Sequence, residues 1–264
     1  MGRSGWTLII FDVDGTLIDT AVMVTCGQDD VAEALGFDEV EADLMKEAWR
    51  ALATVGFGEP SSVFMQALKY ELERHFGVTC NAQAEVMVEH FWRGYWKACR
   101  AEIALEVLSR ALDRGIRVAV SSNGNRDRQL KKLKLAGIYQ LFDSQLIQIE
   151  PSDGIRAKPS PAMIDLLMRQ AKASPNESLM VGDRESDVAA ARLAGCRSGM
   201  LTRTKQHPNV TSDLLKARDE ARRALSITQP DYFLSNLADV LKVIQYPSLP
   251  ELTSGTLIHN DSVP

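Results

Sequence analysis

Two aspartates one residue apart, Asp12 and Asp14, stand directly behind the apolar run 8–11 and in front of Gly15 and Thr16. On a strand, residues i and i+2 share a face, so both carboxylates can point into one site. Like charges that close repel, and they are stable there only with a cation or with a raised pKa on one acid. Gly15 permits a sharp turn, after which its N–H and that of Thr16 can face an anion. Other apolar runs lead into Ser121-Ser122-Asn123 and into Asp183, with Asp187 four residues on, while Lys158 lies in a loop between them. Carboxylate oxygens with no nearby histidine or thiolate suit Mg2+. A lysine and backbone N–H groups suit a phosphoryl group. A metal-bound carboxylate facing that group can attack in line, and a second acid can protonate the leaving oxygen and then deprotonate a water. Mg2+ and the lysine would neutralise equatorial charge, where phosphoryl transfer gains most of its rate.

The elements that must position these groups are legible from the apolar periodicity. Residues 8–11 predict a short buried strand, and from Ala101 onward strands alternate with helices. The spacing predicts a helix over 103–114 ended by Gly115, then a strand over 116–122. A basic helix over 127–136 stops at Gly137, and a strand is expected over 142–149. The loop 150–159 carries Lys158, before a helix at 160–173 and a strand at 178–182 that runs straight into Asp183. A helix at 188–194, strands at 197–202 and 231–234 and a helix at 237–244 complete the pattern. Such alternation implies right-handed crossovers and a doubly wound parallel sheet, an α/β fold whose ligands sit outside the carboxyl ends of the strands. The singled-out polar residues fall at those ends or in the loops that follow.

Between the first strand and the rest lies a stretch of different character. Residues 20–98 hold no convincing strand, but Val40, Leu44, Met45, Ala48 and Leu52 keep helical spacing, as do Phe64, Leu68 and Leu72 behind Ser61-Ser62. Val88, Phe91, Trp92, Tyr95 and Cys99 form a third stripe, read as the core of a small domain rather than a ligand pocket. The expected organisation is therefore a core in two pieces, 1–19 and 99–246, with an all-helical domain at 20–98 inserted between them and a loose tail at 247–264. The tail is rich in proline and poor in apolar residues.

Composition narrows the remaining classes. The chain has 264 residues, 45% of them apolar and 25% charged, with a net charge of −5, which excludes overall disorder and argues against a nucleic-acid partner. Four scattered cysteines without a CxxC pair read as buried thiols in a reducing compartment. With no apolar run of membrane-spanning length and no signal-peptide or myristoylation pattern, a cytoplasmic protein without membrane contact is expected, as a monomer or homodimer. The basic run 126–134, the stretch 203–229 with a helix at 212–225, and Arg93 and Lys97 read as solvated faces. His75, His90 and His259 have no sequence neighbours that would make them ligands.

In four places, and in order, the chain resembles the haloacid dehalogenase-like (HAD) superfamily. FDVDGT at 11–16 is similar to the family's first motif, which makes Asp12 the nucleophile and Asp14 the general acid/base. VAVSSN at 118–123 is similar to the second, with Ser122 as the phosphoryl-binding hydroxyl beside Asn123, and Ser121 as the alternative register. RAKPSP at 156–161 resembles the third, giving Lys158 the charge-neutralising role. MVGDRESD at 180–187 resembles the fourth, which implies that Asp183 ligates Mg2+ and that Asp187 is an outer-shell or lysine-pairing acid. The Asp12 side chain and the Asp14 backbone carbonyl complete the implied metal ligands, and Gly15, Thr16, Ser122, Asn123 and Lys158 the implied phosphate site. The helical insert resembles the C1-type cap of subfamily I. The resemblance implies a Mg2+-dependent phosphatase of the phosphoglycolate-phosphatase-like kind, acting on a small phosphorylated metabolite through an aspartyl-phosphate. Many relatives carry a Pro-Gly pair before the second motif, whereas this chain has Arg100-Ala101-Glu102. A phosphomutase is the second reading, but the position where such relatives place a histidine holds Val24. A dehalogenase needs no general acid and its relatives lack the second aspartate. A binding or scaffold protein would be expected to have lost some of Asp12, Asp14, Ser122, Lys158 and Asp183, and all five are present.

Overall fold

The computed structural model describes residues 5–56, 59–149, 155–202 and 229–245. The expected helix at 212–225, the tail at 247–264, His259 and residues 57–58 lie outside these residues. The chain divides into two compact units, one made of Met1–Ile18 with Arg100–Pro264 and the other of Asp19–Cys99.

The first unit is built on a six-stranded sheet in which every pairing is parallel. Its strands are β1 (Leu8–Phe11), β2 (Arg117–Ser122), β3 (Ile147–Ile149), β4 (Ser178–Gly182), β5 (Arg197–Leu201) and β6 (Tyr232–Leu234). Their order across the sheet, β3-β2-β1-β4-β5-β6, reverses direction between β1 and β4, so a crevice opens at the carboxyl ends of those two strands. β1 is buried along its whole length, as a central parallel strand must be, which is why it reads as an unbroken apolar run. One face of the sheet, through Leu8, Ile10, Ala119 and Met180, packs on Ile164, Leu167 and Met168 of the helix Ala162–Gln170 and on Ala190 and Ala191 of the helix Glu185–Leu193. The helix Glu102–Asp113 packs against β2 and against the terminal helix Val240–Gln245.

One strand is shorter than its apolar pattern suggests. Ser144–Leu146 forms a 3-10 turn instead, and Asp143 caps it by accepting the N–H of Gln145 at 3.0 Å. An aspartate with a free backbone donor two residues on favours a turn over a ladder, so extended structure starts only at Ile147.

The second unit is helical, with α1 (Thr20–Leu35), α2 (Glu39–Thr54), α3 (Ser62–Glu71, continued by a π turn over Leu72–Phe76) and α4 (Ala84–Lys97). Its caps follow from sequence: Asp19 and Ser61 accept N–H groups of the first turns of α1 and α3, and Asp38 and Glu41 form a reciprocal capping box at α2. Trp49 of α2 packs between Phe64 of α3 and Phe91 of α4, with ring centroids 4.7 and 5.0 Å away. The most extensive contact is between α1 and α4, and Gly27 and Gly94 permit it. A Cβ on Gly94 would lie 2.4 Å from the Cys26 carbonyl oxygen, and one on Gly27 would lie 2.7 Å from the Phe91 ring.

Candidate active site

The helices that frame the site continue the numbering as α5 (Glu102–Asp113), α6 (Arg126–Leu135), α7 (Ala162–Gln170), α8 (Glu185–Leu193) and α9 (Val240–Gln245). Phe11 pairs with Val120 on one side and Val181 on the other, so Asp12 is level with Ser121 and Gly182 at the point where the sheet order reverses. The Asp12 N–H donates to the Val181 carbonyl at 2.9 Å, which carries the ladder one residue past the strand and fixes the carboxylate in the crevice.

Lys158 sits at the centre of the charged cluster. Its Nζ lies 2.7 Å from Asp12 Oδ1, 2.6 Å from Asp187 Oδ1 and 2.7 Å from the Ser121 carbonyl oxygen. All three ammonium donors are thereby used, on a side chain only 2% exposed. Burial alone would lower the lysine pKa, but the carboxylates of Asp12 and Asp187 more than offset it and hold the ammonium charged. Asn123 sets the backbone of this residue. Its amide donates to the Lys158 carbonyl at 2.8 Å and accepts the Lys158 N–H at 2.9 Å, so both ends of that side chain are committed to positioning the lysine.

Asp12, Asp183 and Asp187 offer carboxylate oxygens within 4.8 Å of one another. Burial is the main reason that the Asp12 carboxyl is pushed up to about 7; the Lys158 ammonium pulls it back, and Asp187 and Asp14 add smaller repulsions that raise it. Hard oxygen donors, crowded and short of positive charge, fit a divalent cation such as Mg2+. Gly15 fits the same reading: its φ is +78°, and a Cβ there would lie 2.1 Å from Asp183 Oδ2, so only glycine lets that carboxylate reach the turn after β1. Asp187 also accepts the Arg184 N–H at 3.1 Å, which ties it to the first turn of α8.

Asp14 faces a different set of partners. Its Oδ2 accepts from Gln129 Nε2 at 2.6 Å, and its Oδ1 is bound by the Lys132 ammonium. Both partners come from α6, whose basic run reads from sequence as a solvated face. That reading is corrected at Lys132, which is 3% exposed, and its neighbour Gln129 is 2% exposed. A lysine-rich helix gives no sign in sequence that one of its cations is buried against a carboxylate more than a hundred residues away. The turn between Asp14 and Ile18 consumes the donors expected to face an anion. The Gly15 N–H goes to the Ile18 carbonyl at 2.9 Å and the Thr16 N–H to that of Val13 at 3.3 Å. The Thr16 side chain is 2% exposed, and its Oγ1 has no hydrogen-bond partner among the described residues. Ser122 Oγ accepts the Gly124 N–H at 3.3 Å, while Ser121 Oγ is buried without a hydrogen-bond partner among the described residues.

A sequence model of the haloacid dehalogenase-like hydrolase family matches residues 6–195, and a second, HAD-hydrolase-like, matches 155–240. The chain is 27% identical over 240 residues to a phosphoglycolate phosphatase of Vibrio vulnificus, covering 90% of this chain and 95% of that one. It is 22% identical over 250 residues to a pyrophosphatase, PpaX, of Halalkalibacterium halodurans, covering 89% and 95%. Among solved structures it resembles an HAD family hydrolase from Deinococcus radiodurans with bound phosphate and sodium, at a TM-score of 0.61 and 20% identity over 92% of this chain and 96% of that one. That likeness concerns the fold.

Proposed function

Because the chain belongs to the haloacid dehalogenase-like hydrolase family, we propose that it is a Mg2+-dependent phosphatase that hydrolyses a small phosphomonoester through an aspartyl-phosphate on Asp12. The observation that carries this reading is the Asp12 carboxylate, buried at a strand end, paired with Lys158 and crowded by Asp183 and Asp187. The phosphatase names of its relatives support it at low identity.

The ion would be held by Asp12, Asp183 and the Asp14 main-chain carbonyl, and when bound it supplies positive charge to the phosphoryl oxygens. Asp12 attacks phosphorus, the bond from phosphorus to the leaving oxygen breaks, and Asp14 gives that oxygen its proton. Asp14 then takes a proton from a water whose oxygen attacks the phosphorus of the intermediate, releasing inorganic phosphate and restoring Asp12. Lys158 offsets the charge that builds on the transferring group, and Ser122 donates its hydroxyl to it. Asn123 acts on Lys158 through the backbone. Asp187 shares the lysine ammonium and would act on the bound ion from outside its ligand set. The helical unit 19–99 is proposed to select the substrate.

Roles of the two acids separate by leaving group. Asp12→Asn removes the attacking carboxylate, so no phosphoenzyme should form on any substrate. Asp14→Asn keeps its backbone carbonyl and should lose about 10²–10⁴ in rate on an alkyl phosphate, the usual worth of acid–base catalysis. With p-nitrophenyl phosphate, whose leaving anion is stable, rapid mixing should still give a burst of nitrophenol followed by slow turnover. A burst in Asp12→Asn and none in Asp14→Asn would reverse the assignments.

A further inference from the structure

α6 turns a polar face inward. Gln129 and Lys132 are one turn apart and so share that face, and they are 2% and 3% exposed. Each takes one oxygen of the Asp14 carboxylate. A lysine on a ten-residue helix at the edge of a domain ordinarily runs its stem along the surface and leaves the ammonium in water. Burying it is strongly unfavourable unless a carboxylate compensates, and Asp14 is the acid that does so. The chain before α6 is shaped for the same contact. A Cβ on Gly124 would lie 2.1 Å from Gln129 Nε2, so glycine at 124 is what lets the amide cross toward Asp14. Asn125 caps the helix by accepting the Arg128 N–H at 3.1 Å, and Arg128 itself lies within electrostatic reach of Asp14. Asn123, one residue before Gly124, is clamped on the Lys158 backbone.

We propose that Gln129 and Lys132 are positioning residues for Asp14, fixing the orientation of its carboxylate so that proton transfer meets the leaving oxygen. The inference rests on the reading of Asp14 as general acid/base. One donor on each oxygen removes the rotation that a carboxylate 30% exposed would otherwise have. A misplacement of about 1 Å at a reacting group is enough to lose ~10² in rate. Neither residue touches the transferring phosphoryl group in this scheme, so their effect should follow the leaving group and not the nucleophile.

The test compares kcat/KM for phenyl phosphate, a poor leaving group, with that for p-nitrophenyl phosphate. In Lys132→Met the ratio of the second to the first should rise about tenfold over wild type, below the ~10²–10⁴ of removing the acid itself. Gln129→Leu should move it in the same direction by less, and it carries the test if the lysine variant does not fold. In an Asp14→Asn background neither substitution should change the ratio further, because both act through the same carboxylate. Equal losses on the two substrates, or an undiminished effect in that background, would overturn the proposal. If Asp14→Asn itself left the ratio unchanged, the acid–base assignment would fall and take this proposal with it. A raised ratio in Asp14→Asn with none in Lys132→Met or Gln129→Leu would overturn this proposal alone.

Discussion

Burial, together with repulsion from Asp187 and Asp14, holds the Asp12 carboxyl at about 7 against an ordinary 3.8. As pH rises from about 4, an unfolded chain gives up this proton before the folded one does. The stabilisation present at low pH is therefore lost progressively up to the folded value near 7. A divalent cation favours the ionised carboxylate and opposes that loss, while protons compete with it at low pH. The thermal stabilisation by Mg2+ should accordingly be small near pH 5 and grow toward pH 8, roughly the window this shift sets. Asp12→Asn should flatten the dependence. Scanning melting temperature against pH with and without Mg2+ checks this, and a Mg2+ shift of one size at every pH would refute it. Much of the candidate site was legible at this level because carboxylates behind an apolar run are conspicuous. The donors that orient Asp14 were not, since Gln129 and Lys132 announce themselves only once α6 is folded against the turn after β1.

Elements differ in how plainly the sequence states them. β1, β2 and β4 read directly, because central parallel strands are covered on both faces and show as continuous apolar runs. α2 reads from its stripe, and α3 from its stripe and the serines before it. β3 was expected five residues too early, because the apolar residues of 142–146 suit a 3-10 turn buried under the sheet as well as a strand. α1 leaves no clean stripe at all. It buries Gly27 and Gln28 alongside Met23 and Val31, and at Gly27 α4 lies too close for any side chain. The α1–α4 contact makes a stability prediction with two opposing terms. Gly94→Ala gains up to about 1 kcal/mol of helix propensity. Its Cβ would meet a backbone carbonyl at 2.4 Å, and backbone cannot swing aside as a side chain can. Overpacking of that kind typically costs about 1–3 kcal/mol, so the clash wins by roughly 1–2 kcal/mol. For a unit of this size that is a drop of about 4–16 °C in melting temperature, read by calorimetry on the intact chain. An unchanged or higher melting temperature would mean that the two helices can move apart freely.

The helical unit is an insertion in the chain of the sheet unit. The chain leaves the sheet unit after Ile18, four residues past Asp14, and returns at Arg100, directly ahead of α5. Substrate selection is proposed for this unit, and its composition suits that task. A groove of the helical unit is lined by Thr25, Gln28, Asp43, Lys46, Glu47 and Arg50, with Val40 and Leu44 as its apolar part. Side chains of both charge signs beside solvent-accessible apolar ones suit discrimination among small polar metabolites better than tight binding of any one of them. The residues proposed to carry the chemistry, Asp12, Asp14, Lys158, Asp183 and Asp187, by contrast all belong to the sheet unit. Specificity and turnover should then be separable by mutation. Arg50→Ala should change kcat/KM among natural phosphomonoesters by about tenfold or more, the worth of one charge-assisted hydrogen bond, with losses greatest for substrates bearing a carboxylate. Hydrolysis of p-nitrophenyl phosphate, which offers the groove little to recognise, should stay within about twofold by the same reasoning. A panel of phosphometabolites run on both proteins decides the matter. Uniform loss on every substrate would show that Arg50 supports folding and that the choice of substrate is made elsewhere.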